Sequence, residues 1–93
     1  MNIEIDKIFP QVRIDGEEIA FSKREFDVFL FLWENKGRIC TRRLIEQAVW
    51  GQDRFNNERV ADITVSRLRK KLEQTELRER LVTKKGFGYS LII

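Results

Sequence analysis

The feature that most limits what this chain can fold into is residues 58–73 (ERVADITVSRLRKKLE) followed, after a short gap, by residues 81–93 (LVTKKGFGYSLII). The apolar spacing of the first segment predicts a helix. At about 100° per residue, Ala61, Val65, Leu68 and Leu72 fall within roughly a 60° sector, which forms the core stripe. Opposite lie Arg59, Ile63, Ser66, Arg67 and Lys70, with Val60 at the margin. Asp62 and Arg69 flank the stripe on one side, Thr64 and Lys71 on the other. An outward face that mixes arginine, lysine and serine with β-branched apolar residues is not patterned for water alone.

The second segment reads as two strands, 81–84 and 89–93, joined by Lys85-Gly86-Phe87-Gly88. Two glycines let a short turn take positive φ and leave a slim tip. Lys84 and Lys85 put charge at that tip, and Thr83 and Tyr89 carry hydroxyls that can bond a phosphate. A plain closing hairpin whose lysines guard its edges has the same composition. The charge distribution favours a polyanion. Residues 1–37 carry 5 basic and 8 acidic side chains, whereas residues 38–71 carry 9 basic and 4 acidic. The formal net charge of +3 therefore conceals a cationic second half. A solvated helix rich in lysine and arginine gives similar counts, so charge alone does not decide.

Upstream, the first 21 residues alternate in strand fashion, pairing Ile3 with Ile5, Val12 with Ile14, and Ile19 with Phe21. Asp15-Gly16 suits a two-residue turn in which both central residues have positive φ. Pro10 separates the first strand from the second, or sits at an edge. Ser22-Lys23-Arg24-Glu25 is a capping box. The helix it opens carries Phe26, Phe29, Leu30, Phe31, Leu32 and Trp33 around most of its circumference, so it is expected at the centre. Asn35-Lys36-Gly37 stops it, with Gly37 left-handed. Arg38 to Cys40 read as a short extended connector. Thr41 then caps a second helix over 42–50 that buries Leu44, Ile45, Ala48 and Val49 and ends at Gly51. Asn57 or Asn56 caps the third helix. The expectation is one α+β domain over 1–93: a sheet over 1–21, a three-helix core over 22–73 and a hairpin over 81–93.

Ninety-three residues suffice for a single core without metal or disulfide staples. The chain has no histidine and one cysteine, Cys40. Zinc sites of the usual ligands, an internal disulfide and His-based catalysis are thereby ruled out. No catalytic constellation stands out and no cofactor is implied. A lone cysteine fits a reducing, cytoplasmic setting. No apolar run approaches the roughly 18–20 residues of a membrane helix, and no secretory segment is read at the N-terminus.

Taken in order, SKREFDVFLFLWENKGRICTRRLIEQAVWG, RVADITVSRLRKKLE and VTKKGFGY resemble the C-terminal effector domain of OmpR/PhoB-type response regulators. The likeness spans residues 11–91, nearly the whole chain. It implies a winged helix-turn-helix with an N-terminal antiparallel sheet, three helices and a C-terminal β-hairpin wing. It also implies sequence-specific binding to double-stranded promoter DNA in transcription regulation. The third helix would enter the major groove, and the wing would meet the minor groove or backbone. Arg59, Val60, Ile63, Thr64, Ser66, Arg67 and Arg69 match helix positions that approach DNA in such domains, and Thr83, Lys85 and Tyr89 match wing positions. Side-chain chemistry adds Lys70 and Lys84, with Thr41 and Arg42 at the start of the second helix as phosphate contacts. Gln52, Asp53, Arg54, Phe55 and Asn56 correspond to a loop that touches RNA polymerase in some members.

Three positions depart from the family pattern. Lys85 stands where arginine is common and lacks the planar fork. Ser66 replaces a frequent basic residue, and Lys84 a usual apolar one. No aspartate-based phosphoacceptor pocket can be assigned among these residues. The resemblance implies a monomer in solution that occupies adjacent half-sites in tandem on DNA. The competing reading is a winged-helix interaction module that docks on polymerase or a partner domain through Phe55, Ile63 and Val60 and binds no DNA.

Overall fold

In the computed structural model, which describes residues 1–51 and 59–93, two small antiparallel sheets bracket three helices among the described residues. Strands β1 (Ile3–Asp6), β2 (Gln11–Ile14) and β3 (Glu17–Ile19) form the first sheet, in that order. Asp15 and Gly16 have φ of 52° and 86°, as the two-residue turn between β2 and β3 requires. Ile14 consequently pairs with Glu17. This register turns Val12, Ile14 and Ile19 into the core, with Ile3 and Ile5 packed at its margin.

Helix α1 (Lys23–Glu34) opens with the expected reciprocal cap. The Glu25 amide donates to Ser22 Oγ at 3.2 Å, and the Ser22 amide donates to the Glu25 carboxylate at 2.8 Å. Phe26, Val28, Phe29 and Leu32 are buried, while Leu30, Phe31 and Trp33 pack partly against the core. The helix lies against α2 (Arg42–Trp50), α3 (Arg59–Leu72) and the C-terminal sheet, which makes it the central element.

Helix α2 begins at its Thr41 cap and ends at Gly51, as its sequence implies, but its inward face is different. Ile45 is buried and Val49 half-buried, whereas Leu44 is 49% exposed and Ala48 points outward. The inward sector passes through Arg42, Ile45, Glu46 and Val49, one flank over from the expected one. A nine-residue helix meets its described neighbours on one side, and Leu44 and Ala48 lie on the other.

The second sheet has the order β4-β6-β5, with β4 (Cys40–Thr41), β5 (Leu81–Lys84) and β6 (Gly88–Leu91). The short connector strand therefore starts at Cys40, two residues later than the sequence suggests. Gly88 belongs to the strand and not to the turn. A Cβ there would lie 2.1 Å from the Cys40 carbonyl oxygen and 2.8 Å from the Thr41 Cα. Glycine is needed so that two backbones can approach. Between α3 and β5, the 3-10 turn Glu76–Glu79 buries Leu77, a contact absent from the sequence reading. The expected cap at Asn56 or Asn57 and the start of the third helix at Glu58 lie outside the described residues. No described helix is long and apolar enough to cross a membrane.

One ion pair ties the ends of the helical core together. Lys71 Nζ donates to Glu25 Oε1 at 2.6 Å and to the Ala20 carbonyl at 2.7 Å. Burial works against an ionised Glu25, yet the Lys71 and Ser22 hydrogen bonds prevail and hold its carboxyl below the usual glutamate range. With the folded value depressed, this contribution is fully present above the unfolded value and is lost as pH falls through the folded one. Glu25→Gln is expected to flatten the fall in unfolding free energy as pH drops below the ordinary glutamate range, measured by denaturant titration at several pH values. Gly88→Ala is expected to destabilise the fold by about 2–4 kcal/mol in the same titration at neutral pH, because backbone, not a flexible side chain, fills the space.

Candidate nucleic-acid interface

The stripe of α3 facing α1 and α2 is built from Ala61, Thr64, Val65, Leu68 and Leu72, all buried. Burying one side of a helix leaves the other to solvent. Arg59, Ile63, Ser66, Arg67 and Lys70 are all exposed on that other side, with Val60 half-buried at its edge. Ile63, at 47% exposure, keeps an apolar surface among the cations. Arg59, Asp62, Ile63, Ser66 and Arg67 line a shallow open depression on this face.

Thr64 is a correction to the sequence reading. Its side chain turns inward, and Oγ1 donates to the Val60 carbonyl one turn earlier, at 2.8 Å. A threonine that satisfies its hydroxyl on its own helix can extend an apolar stripe. Tyr89 is a second correction. It lies buried on β6, and its hydroxyl donates to Asp62 Oδ1 and not outward to a phosphate.

These inward groups build a junction between α2, α3 and the wing hairpin β5–β6. Asp62 Oδ1 also accepts from Arg42 Nε at 2.7 Å. The Arg42 and Arg69 guanidinium carbons lie 5.9 Å and 5.5 Å from the centre of the Tyr89 ring. The electron-rich ring face thus holds two cations that would otherwise repel each other. Arg69 Nη2 in turn donates to Thr83 Oγ1 at 2.6 Å and to the Leu81 carbonyl at 3.1 Å. Thr83 remains exposed and keeps its hydroxyl proton for another acceptor.

The titration behaviour follows from this packing. Burial disfavours ionised Asp62, but the Tyr89 hydroxyl and then Arg42 outweigh it and hold the carboxyl below the usual aspartate range. Burial, and next the bond to Asp62, push the Tyr89 phenol up. The same carboxylate raises the Arg42 guanidinium further above its ordinary value. Asp62 and Arg42 therefore face each other as a charged pair at neutral pH.

At the wing, the Phe87 amide donates to the Lys84 carbonyl at 2.8 Å, and Gly86 has a φ of 84°. This turn presents Lys84 and Lys85 to solvent, with Phe87 68% exposed beside them. Thr41 is exposed, but its Oγ1 accepts from the Leu44 amide as the α2 cap. Phe87 and the linking role of Asp62 are not among the residues the sequence singles out. The signal for Asp62 was an acidic residue on the same flank of the helix as Arg69. Gln52, Asp53, Arg54, Phe55 and Asn56, expected as a protein-contact loop, lie outside the described residues.

Helices α2 and α3 packed against each other, with an outward cationic face and a β-hairpin fastened to the second helix, define a winged helix-turn-helix domain. Residues 16–91 match the family of C-terminal domains of transcriptional regulatory proteins, and the chain belongs to that family. It is 31% identical to the DNA-binding domain of Bacillus subtilis CssR over 97% of this chain and 99% of that one, with a TM-score of 0.83. Against the Klebsiella pneumoniae RstA DNA-binding domain in complex with the RstA box, identity is 31% over 97% and 90% of the two chains, at a TM-score of 0.83. The response regulator DrrB of Thermotoga maritima, an OmpR/PhoB homologue, is 30% identical at a TM-score of 0.82. Its match takes in 98% of this chain but 42% of DrrB. The OmpR/PhoB resemblance carried by the three sequence motifs therefore stands.

Proposed function

We propose that this domain binds double-stranded promoter DNA sequence-specifically and so regulates transcription, with α3 in the major groove and the wing on the adjacent minor groove or backbone. The observation that carries this reading is the outward face of α3. Arg59, Ile63, Ser66, Arg67 and Lys70 are exposed together, directly opposite a buried stripe and fastened through Arg69 to a lysine-tipped hairpin. A helix fits the major groove, where arginine pairs with guanine, serine with several base edges, and an isoleucine methyl with thymine. Family membership supports the same reading, as does the likeness to an RstA domain in complex with its box.

Within this scheme Arg67 reads a base edge, since it projects away from the core. Ile63 and Ser66 add discrimination, with Val60 at the margin. Arg59 and Lys70 hold phosphates, and Lys84 and Lys85 anchor the wing, with the Thr83 hydroxyl beside them. Arg42 and Arg69 take part through the Tyr89 junction, and Thr41 contributes the N-terminus of α2. Residues 52–56 are the segment proposed to contact RNA polymerase. The domain is monomeric in solution and occupies adjacent half-sites in tandem.

Selection of bound duplexes from a random pool tests the reading, and anisotropy titrations then quantify it. Arg67→Ala is expected to weaken binding to the selected duplex by about 1–3 kcal/mol and to relax preference at one base pair. Lys85→Ala is expected to weaken all duplexes alike and to flatten the dependence of log K on log salt by roughly one unit. No binding of any duplex at low salt would favour the protein-docking module instead. Unchanged affinity and salt slope for Lys85→Ala would remove the wing from the interface.

A further inference from the structure

We propose that Asp62 is a specificity-determining positioning residue, which fixes Arg42 of α2 and Arg69 of α3 against the wing in one arrangement while its charge opposes binding to arbitrary duplex. This rests on the reading of the face as a DNA interface. Three elements converge on one carboxylate oxygen. Asp62 Oδ1 accepts from Arg42 Nε of α2 at 2.7 Å and from the Tyr89 hydroxyl of β6. Tyr89 carries Arg69 on its ring, and Arg69 grips Thr83 and the Leu81 carbonyl of β5. Asp62 also lines the outward depression beside Arg59, Ile63, Ser66 and Arg67, so its charge is felt where DNA would arrive.

An acidic group in a face for a polyanion weakens the electrostatic attraction for every duplex alike. Its benefit falls on one geometry. Cations ordered before DNA arrives need not be ordered on binding, which strengthens contact with a duplex whose phosphates and base edges match them. Arg42, held by its Nε, does not swing freely towards whichever phosphate lies nearest. Specificity is a difference of two affinities, and Asp62 acts on both, lowering the non-specific one and preserving the specific one. A residue that merely held the fold together would affect both in the same direction.

The test compares the 93-residue chain with its Asp62→Asn and Tyr89→Phe variants by fluorescence anisotropy over a range of salt. One probe is the duplex recovered with the wild-type chain from a random pool, and the other is duplex of random sequence. Asp62→Asn is expected to lose about tenfold or more on the selected duplex while binding random duplex more tightly. Its salt slope on random duplex should steepen by up to about one unit as Arg42 is released to phosphate. Tyr89→Phe keeps the ring but drops the bond to Asp62, and should lower the ratio of selected to random affinity by about threefold. Parallel losses on both probes, or an unchanged ratio, overturn the proposal. If circular dichroism shows Asp62→Asn unfolded, the Tyr89→Phe ratio decides by the same criterion. A wild-type chain that binds neither probe overturns the DNA reading itself and the proposal with it, whereas a wild-type preference with unchanged variant ratios overturns the proposal alone.

Discussion

At Gly88 the backbone of β6 comes so close to β4 that an added methyl group would meet the Cys40 carbonyl oxygen at 2.1 Å, and the geometry of the whole outward face follows from this approach. Cys40 pairs with Tyr89 and Thr41 with Gly88. Thr41 is also the cap of α2, so the pairing ties the first turn of that helix to the wing. Arg42, the next residue, is thereby delivered to Asp62 on α3 and to the ring of Tyr89. At the other end of β6 the Gly37 amide donates to the Leu91 carbonyl at 2.8 Å, which ties the turn after α1 to the same strand. The wing is thus hydrogen-bonded to the helix-turn-helix through backbone and side chain together, and it does not hang from α3 by a linker.

The two halves of the domain divide their electrostatic tasks. Around α1, charge serves the fold: Glu25 and Lys71 pair near the core and join the first sheet, the central helix and α3. Around α3, the cations are mostly turned outward, and among the described residues Asp62 is their counterweight. Exposed ion pairs such as Lys7 with Glu34 or Lys23 with Asp27 add little to either task. The electrostatic character that matters is that of a cationic surface in which Arg42 and Arg69 are held by protein groups before any ligand arrives.

Much of this was legible in the chain. Local signals with a defined stereochemistry translated directly: the Ser22/Glu25 capping box, the Asp15-Gly16 turn, the Thr41 cap and the Gly51 stop all stand where their residues imply. Helical arithmetic placed the buried stripe of α3 and its exposed opposite face. What failed were, apart from Thr64, positions decided by neighbours distant in sequence. Leu44 and Ala48 are apolar at helical spacing, but no described element packs on their flank of α2. Thr64 has a polar hydroxyl, and its burial depends on a bond to its own helix that a hydropathy pattern does not register. Gly88 looks like a turn residue until β4 is brought against it. Tyr89 and Asp62 are 27 residues apart, and nothing in either local segment indicates that they meet.

The most direct measurement is a chemical-shift map of the backbone amides of this chain on titration with duplex DNA. Shifts concentrated on Arg59, Ile63, Ser66, Arg67 and Lys70 of α3 and on Thr83 to Lys85 of the wing, with β1 to β3 undisturbed, are the predicted result. Shifts confined to the N-terminal sheet or to the Leu44 flank of α2, or none at low salt, would contradict it.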